Sequence, residues 1–180
     1  INFYTYVNND PVNGNDPSGL DTQISIGYTN TAVPGAYHQV VVLTDTVTGK
    51  QFATRAGPAA QGFEAVSDSV ASASGGSISA SAGNAGSGGF GFGQIQAVYG
   101  TFNSNFKDTP SSIVKLQEVG TIARDYAAST VNAVEFANTT NQNAIPYWPL
   151  GPNSNSYATT FVESLISSRP TPILNTPGYD

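Results

Sequence analysis

The chain holds one histidine, His38, and no cysteine, so thiolate catalysis is excluded and an imidazole-activated nucleophile has to be a hydroxyl. Ser154 stands where such a hydroxyl could work. It lies in the run Gly151-Pro152-Asn153-Ser154-Asn155-Ser156-Tyr157, in which Asn153 is a favoured N-cap and Ser154 falls at the first helical position. Free backbone N–H groups and the positive end of the helix dipole converge there. Acyl transfer needs a nucleophile beside donors for the developing oxyanion, and this turn offers both, with Asn153 and Asn155 as cap, oxyanion or supporting groups.

Helical spacing separates the two serines. Ser154 shares a face with Ala158, Phe161 and Leu165, whereas Ser156 shares one with Thr160, Glu163 and Ser167. Ser154 is therefore expected to face the sheet and Ser156 to face water. The same Asn-Ser-Asn-Ser run also reads as a plain helix cap, and His38 as a core or edge histidine. The position of the two side chains in space decides between these readings.

The elements that must position them follow from periodicity. Gln23 to Tyr28 alternates as a half-buried strand, and Ala36 to Thr44, which carries His38, is β-branched and nearly all apolar, as a central strand is. Asp45 to Gly49 is a hairpin turn, Lys50 to Ala56 its returning strand. Ser72 to Gly93 is low in complexity, with 18 of 22 residues Gly, Ser or Ala, and is expected to be a flexible insertion without core. Gln94 to Phe102 and Ser112 to Val119 read as further strands. Thr121 to Asn138 and Asn153 to Ser167 read as helices, joined by a Pro-rich loop with the only Trp, Trp148. The order predicts an α+β domain, an antiparallel sheet of about four to five strands followed by two helices. Tyr147 and Trp148 in the loop lead straight into Ser154, as a hydrophobic lid or, with Tyr157, as a substrate wall.

Composition narrows the chemistry. Lys and Arg number six against twelve Asp and Glu, for a net charge of −6, and the basic residues are scattered singly. A phosphate backbone would meet repulsion rather than counterion release, which argues against a nuclease or any nucleic-acid partner. No His or Cys cluster points to a metal and no motif to a cofactor. No apolar run approaches the roughly 18 residues of a membrane-spanning helix.

Two resemblances add to this reading. Ile1 to Leu20, INFYTYVNNDPVNGNDPSGL, with its Asp-Pro-x-Gly-Leu ending, closely resembles the end of the Rhs-repeat-associated core, the shell of bacterial polymorphic toxins. The resemblance implies a leader (1–20) followed by a variable effector domain (21–180), delivered as part of a larger secreted protein. It also implies an Rhs shell upstream and a cognate immunity protein as partner. The resemblance would place Asp16 in a self-cleavage site there, but such chemistry draws its second carboxylate and shaped pocket from the upstream shell, so no activity is assigned to Asp16.

A strand bearing histidine, a returning strand and, much later, a nucleophile at a helix N-terminus resemble the circularly permuted papain-like fold of lecithin:retinol acyltransferases and NlpC-type peptidases. In that frame Asn153-Ser154-Asn155-Ser156-Tyr157 matches Asn-Cys-x-x-Phe, with serine at the cysteine position. The resemblance implies His38 as general base, with Gln51, Thr54 and Arg55 as candidate orienters of its ring. It implies a hydrolase or acyltransferase acting on an amide or ester. The serine departs from the family and leaves open a non-catalytic binding domain with a dead site.

Overall fold

Residues 21–59 and 93–178 are described by a computed structural model. The resemblance at Ile1 to Leu20 and nearly all of the 72–93 segment lie outside the described residues. Within them the chain is α+β, a five-stranded antiparallel sheet with two helices. The strands are β1 (Thr22–Asn30), β2 (Tyr37–Asp45), β3 (Gln51–Pro58), β4 (Ile95–Thr101) and β5 (Ile113–Ile122); the helices are α1 (Tyr126–Gln142) and α2 (Ser154–Ile166). The spatial order β4-β3-β2-β1-β5 puts β2 at the centre.

Its sequence explains that place. Val40 to Leu43 are fully buried, which only a strand covered on both faces allows. Alternation sends Val41 and Leu43 into the larger core beneath the helices, where Tyr157, Ala158, Phe161 and Val162 of α2 meet them. Val40 and Val42 join Ala53, Val98 and Phe106 on the opposite face, which the β4–β5 loop covers. Burying one such aliphatic side chain stabilises by about 1.5–3 kcal/mol. The β2–β3 turn is closed by Asp45, whose carboxylate accepts from the Val47 N–H at 2.9 Å, and by Gly49 in the left-handed region.

The first helix begins later than its apolar spacing suggests. Thr121 and Ile122 pair with Gln23 and Thr22 of β1, so they prolong β5. The helix starts only after Asp125, whose side chain accepts from the Ala127 N–H at 2.9 Å. Ladder hydrogen bonds outcompete helical periodicity here, and the N-cap sets the boundary.

Two devices close the β4 edge, and the second builds the site. The Asn141 side chain of α1 takes the Ala97 N–H at 2.6 Å and donates to the Ala97 carbonyl at 3.0 Å, as a neighbouring strand would. Further along, Ile95 N–H donates to Ile145 O at 2.7 Å and Tyr147 N–H to Gly93 O at 3.0 Å. The Pro-rich loop is thus stitched to the sheet before it reaches α2. Covering an edge in this way removes a template for unwanted pairing.

Beneath the second face, Arg55 of β3 and Asp108 of the β4–β5 loop form a buried ion pair. Removing one partner strands the other charge. Asp108→Ala should therefore cost about 3–5 kcal/mol of stability, while Arg55→Met combined with Asp108→Leu should be close to neutral. Urea unfolding of the three proteins checks this.

Candidate active site

The tip of α2 enters the sheet where β2 and β3 part. Register between those strands runs from Thr44 with Gln51 to Val41 with Thr54. Beyond that point β3 continues along β4 to Pro58, so the β3-facing edge of Tyr37 to Gln39 needs other partners. Asn155 supplies them. Its Oδ1 accepts from the Gln39 N–H at 2.9 Å and its Nδ2 donates to the Tyr37 carbonyl at 3.1 Å. The residue after Ser154 thus clasps the backbone on both sides of His38.

The consequence is a direct contact. Ser154 Oγ lies 2.6 Å from His38 Nδ1. With the hydroxyl donating, Nδ1 is the acceptor and the ring proton sits on Nε2. The helix face that carries Ser154 is the buried one: Ser154 is 1% exposed, and Ala158 and Phe161 on the same face are buried. Ser156 is half-buried rather than turned to water. Its hydroxyl accepts from the Asn153 N–H at 2.8 Å, while Asn153 Oδ1 accepts from the Asn155 and Ser156 N–H groups at 2.7 and 3.3 Å. The two side chains form a capping box.

That box corrects the oxyanion expectation. Two of the N–H groups thought to be free are consumed by the cap, so Asn153 and Asn155 hold the turn together instead of offering donors. The remaining donor at the tip is the Ser154 N–H, which faces the Tyr147 hydroxyl. Burial pushes that phenol up, and its contacts with the Ser154 hydroxyl and N–H and with the Arg55 charge offset only part of the rise. Tyr147 does line the cavity above the pair, and its hydroxyl is also against the serine.

The candidate orienters fall elsewhere. Gln51 sits beside Thr44, to which its Nε2 donates at 3.3 Å, at the far end of β2 from His38. Thr54 gives its hydroxyl to Val98 O at 3.0 Å and meets the Tyr157 hydroxyl at 2.6 Å. Tyr157 is therefore buried under the sheet and forms no substrate wall. Trp148 borders a shallower hollow with Pro149, Leu150 and Gly151. Arg55 acts on His38 through its charge rather than by a hydrogen bond. Among the described residues, the hydrogen bond that holds the His38 ring is the one to Ser154.

Burial, and then the Arg55 guanidinium, lower the His38 pKa below its usual 6.5, against a smaller upward pull from Asp108. The ring is thus neutral, and able to accept a proton, through the neutral range. Below pH 6.5 the unfolded chain binds this proton while the folded chain resists it. Stability contributed by neutral His38 is therefore complete above 6.5 and is lost as pH falls toward the lowered folded value. Unfolding titrations at pH 7.5 and 5.0 should show a smaller loss for His38→Gln than for the unaltered protein.

Above the pair opens a cavity of about 390 Å³, with Ser154, His38 and Asn155 at its floor and Val33, Pro149, Leu150 and Pro177 among its walls. Among the described residues, no Lys, Arg, Asp or Glu lines it. At its rim Val33 and Leu150 are 64% and 86% exposed. Among the described residues, no three His, Asp or Glu side chains gather where a metal ion could sit, and no helix is long and apolar enough to cross a membrane. No protein-family model matches the sequence, and a search of curated proteins finds no match.

Proposed function

We propose that the domain is a serine-dependent hydrolase or acyltransferase that cleaves an amide or ester, with Ser154 as nucleophile and His38 as its general base. The observation that carries this reading is the 2.6 Å contact between Ser154 Oγ and His38 Nδ1 at the floor of a cavity. Neutral His38 takes the hydroxyl proton on Nδ1 as Oγ attacks the substrate carbonyl. The Ser154 N–H, on giving up its contact with the Tyr147 hydroxyl, and that hydroxyl would then donate to the oxyanion. As the tetrahedral centre collapses, protonated His38 returns the proton to the departing amine or alcohol. Water or an acceptor alcohol, deprotonated by the same ring, releases the acyl group.

Among the described residues the lining is uncharged, which favours a substrate whose acyl part carries no charge. The permuted papain-like order, histidine strand first and nucleophile helix last, supports the same assignment of roles. The Rhs-like residues Ile1 to Leu20 support delivery into a target cell as part of a larger protein, with a cognate immunity protein to restrain the domain.

One observation favours the second reading, a binding domain with a dead site: Ser154 is 1% exposed. Labelling separates the two. An alkyl fluorophosphonate should add to Ser154, as read by mass spectrometry of the tryptic peptide, and His38→Ala should suppress the adduct. An unlabelled serine in folded protein, with no turnover of short acyl esters, would leave the binding reading.

A further inference from the structure

The segment 171–178 does not belong to the sheet or to either helix, yet it is bonded along its length to elements that build the site. Gln117 Nε2 of β5 donates to Thr171 O at 3.0 Å, and Ile173 N–H donates to the Tyr28 hydroxyl at 3.1 Å. The Tyr37 N–H, one residue before His38, donates to Asn175 O at 2.9 Å. The path ends at the Pro177 carbonyl, which accepts from Asn153 Nδ2 and from Asn155 Nδ2, each at 2.9 Å. These are the two residues on either side of Ser154.

Gly178 shows how closely the segment is seated. Its backbone is in the left-handed region, and a Cβ there would stand 1.9 Å from Asn153 Nδ2 and 2.6 Å from Gly151 O. Neither contact is tolerable, so any larger residue must displace the capping asparagine or the segment itself.

We infer that residues 171–178 form a positioning strap for the nucleophile, one that rests on the Ser154–His38 reading above. The Pro177 carbonyl, shared by Asn153 and Asn155, fixes the turn that carries Ser154 and closes one wall of its cavity. Cutting or lifting the strap switches the site off while the sheet stays folded.

The test uses the whole chain with Ser154→Cys and follows iodoacetamide alkylation against pH, which reports the ionisation of the introduced thiol. Beside a helix N-terminus and His38 that thiol should ionise well below the free value of about 8.5. Adding Gly178→Ala should return its pKa toward that value and slow alkylation at pH 7 about tenfold. Gly49→Ala, which shares the positive φ of +71° but meets nothing within 4 Å, should leave the thiol unchanged and controls for backbone strain. Deleting residues 175–180 should act like Gly178→Ala, with the sheet's circular dichroism retained. A lowered pKa that survives both alterations overturns the strap alone. A thiol that titrates as a free cysteine in the Ser154→Cys protein overturns the Ser–His reading, and the strap with it. Loss of the fold in both altered proteins would make the segment a structural brace and would also end the proposal.

Discussion

Ser154→Ala should lower turnover of a cleaved ester by at least about a thousandfold, His38→Ala by a similar factor, and the double variant by no more than either. Nucleophile and base act as one unit, so removing the second partner after the first takes nothing further. Stability should change little by comparison. The cap of α2 belongs to Asn153 and Ser156, and Ser154→Ala removes the hydroxyl's contacts with His38 and Tyr147, each worth about 1 kcal/mol. Ser156→Ala is the control with the opposite signature: it breaks the capping box, at a cost of about 1 kcal/mol, and leaves turnover nearly intact. Kinetics and urea midpoints of the four variants check the set. Multiplicative losses in the double variant would show that Ser154 and His38 contribute separately, as two structural residues would.

The sheet is largely legible in the sequence because its strands announce themselves in two ways. Tyr37 to Asp45 carries a continuous apolar run, and Asp45 to Lys50 carries turn chemistry that forces the chain back on itself. The N-cap of α2 was readable for a similar local reason, since Asn153 followed by small polar residues favours a helix start. Distance in the chain hid the rest. Asp108 sits 53 positions from Arg55 in a polar loop, and no local pattern marks it as the partner of a buried guanidinium. Gln51 illustrates a different failure. It lies on the strand that returns beside His38, but antiparallel pairing places it against Thr44, and only the late residues of β3 come back toward the histidine. The start of α1 was misplaced because Thr121 and Ile122 fit a helical period as well as an extended one, and pairing with β1 decides the matter. Tyr147 is visible as an aromatic, whereas the direction of its hydroxyl depends on the loop being sewn to Gly93, just before β4.

Asn155→Ala should prove the most damaging change at a residue that takes no part in the proposed chemistry. The residue is 3% exposed, and its side chain makes three hydrogen bonds, to Gln39 N–H, Tyr37 O and Pro177 O. Alanine leaves those groups without that partner at the point where β2 and β3 have parted. An unsatisfied buried group costs about 1–3 kcal/mol, and some will recover water through the cavity, so a total loss of about 3 kcal/mol is expected. The kinetic effect should be larger than that loss suggests. Asn155 ties the turn bearing Ser154 to the backbone on each side of His38, so its loss frees the two reactive groups to drift relative to each other. A displacement of about 1 Å is enough to cost roughly a hundredfold in rate. Measured well below its melting temperature, Asn155→Ala should therefore show kcat reduced about a hundredfold with KM little changed, and fluorophosphonate labelling slowed in proportion. A variant that unfolds more easily yet labels Ser154 at the original rate would mean that the Ser154–His38 register is held by the cap and the sheet alone, and that Asn155 only stabilises the fold.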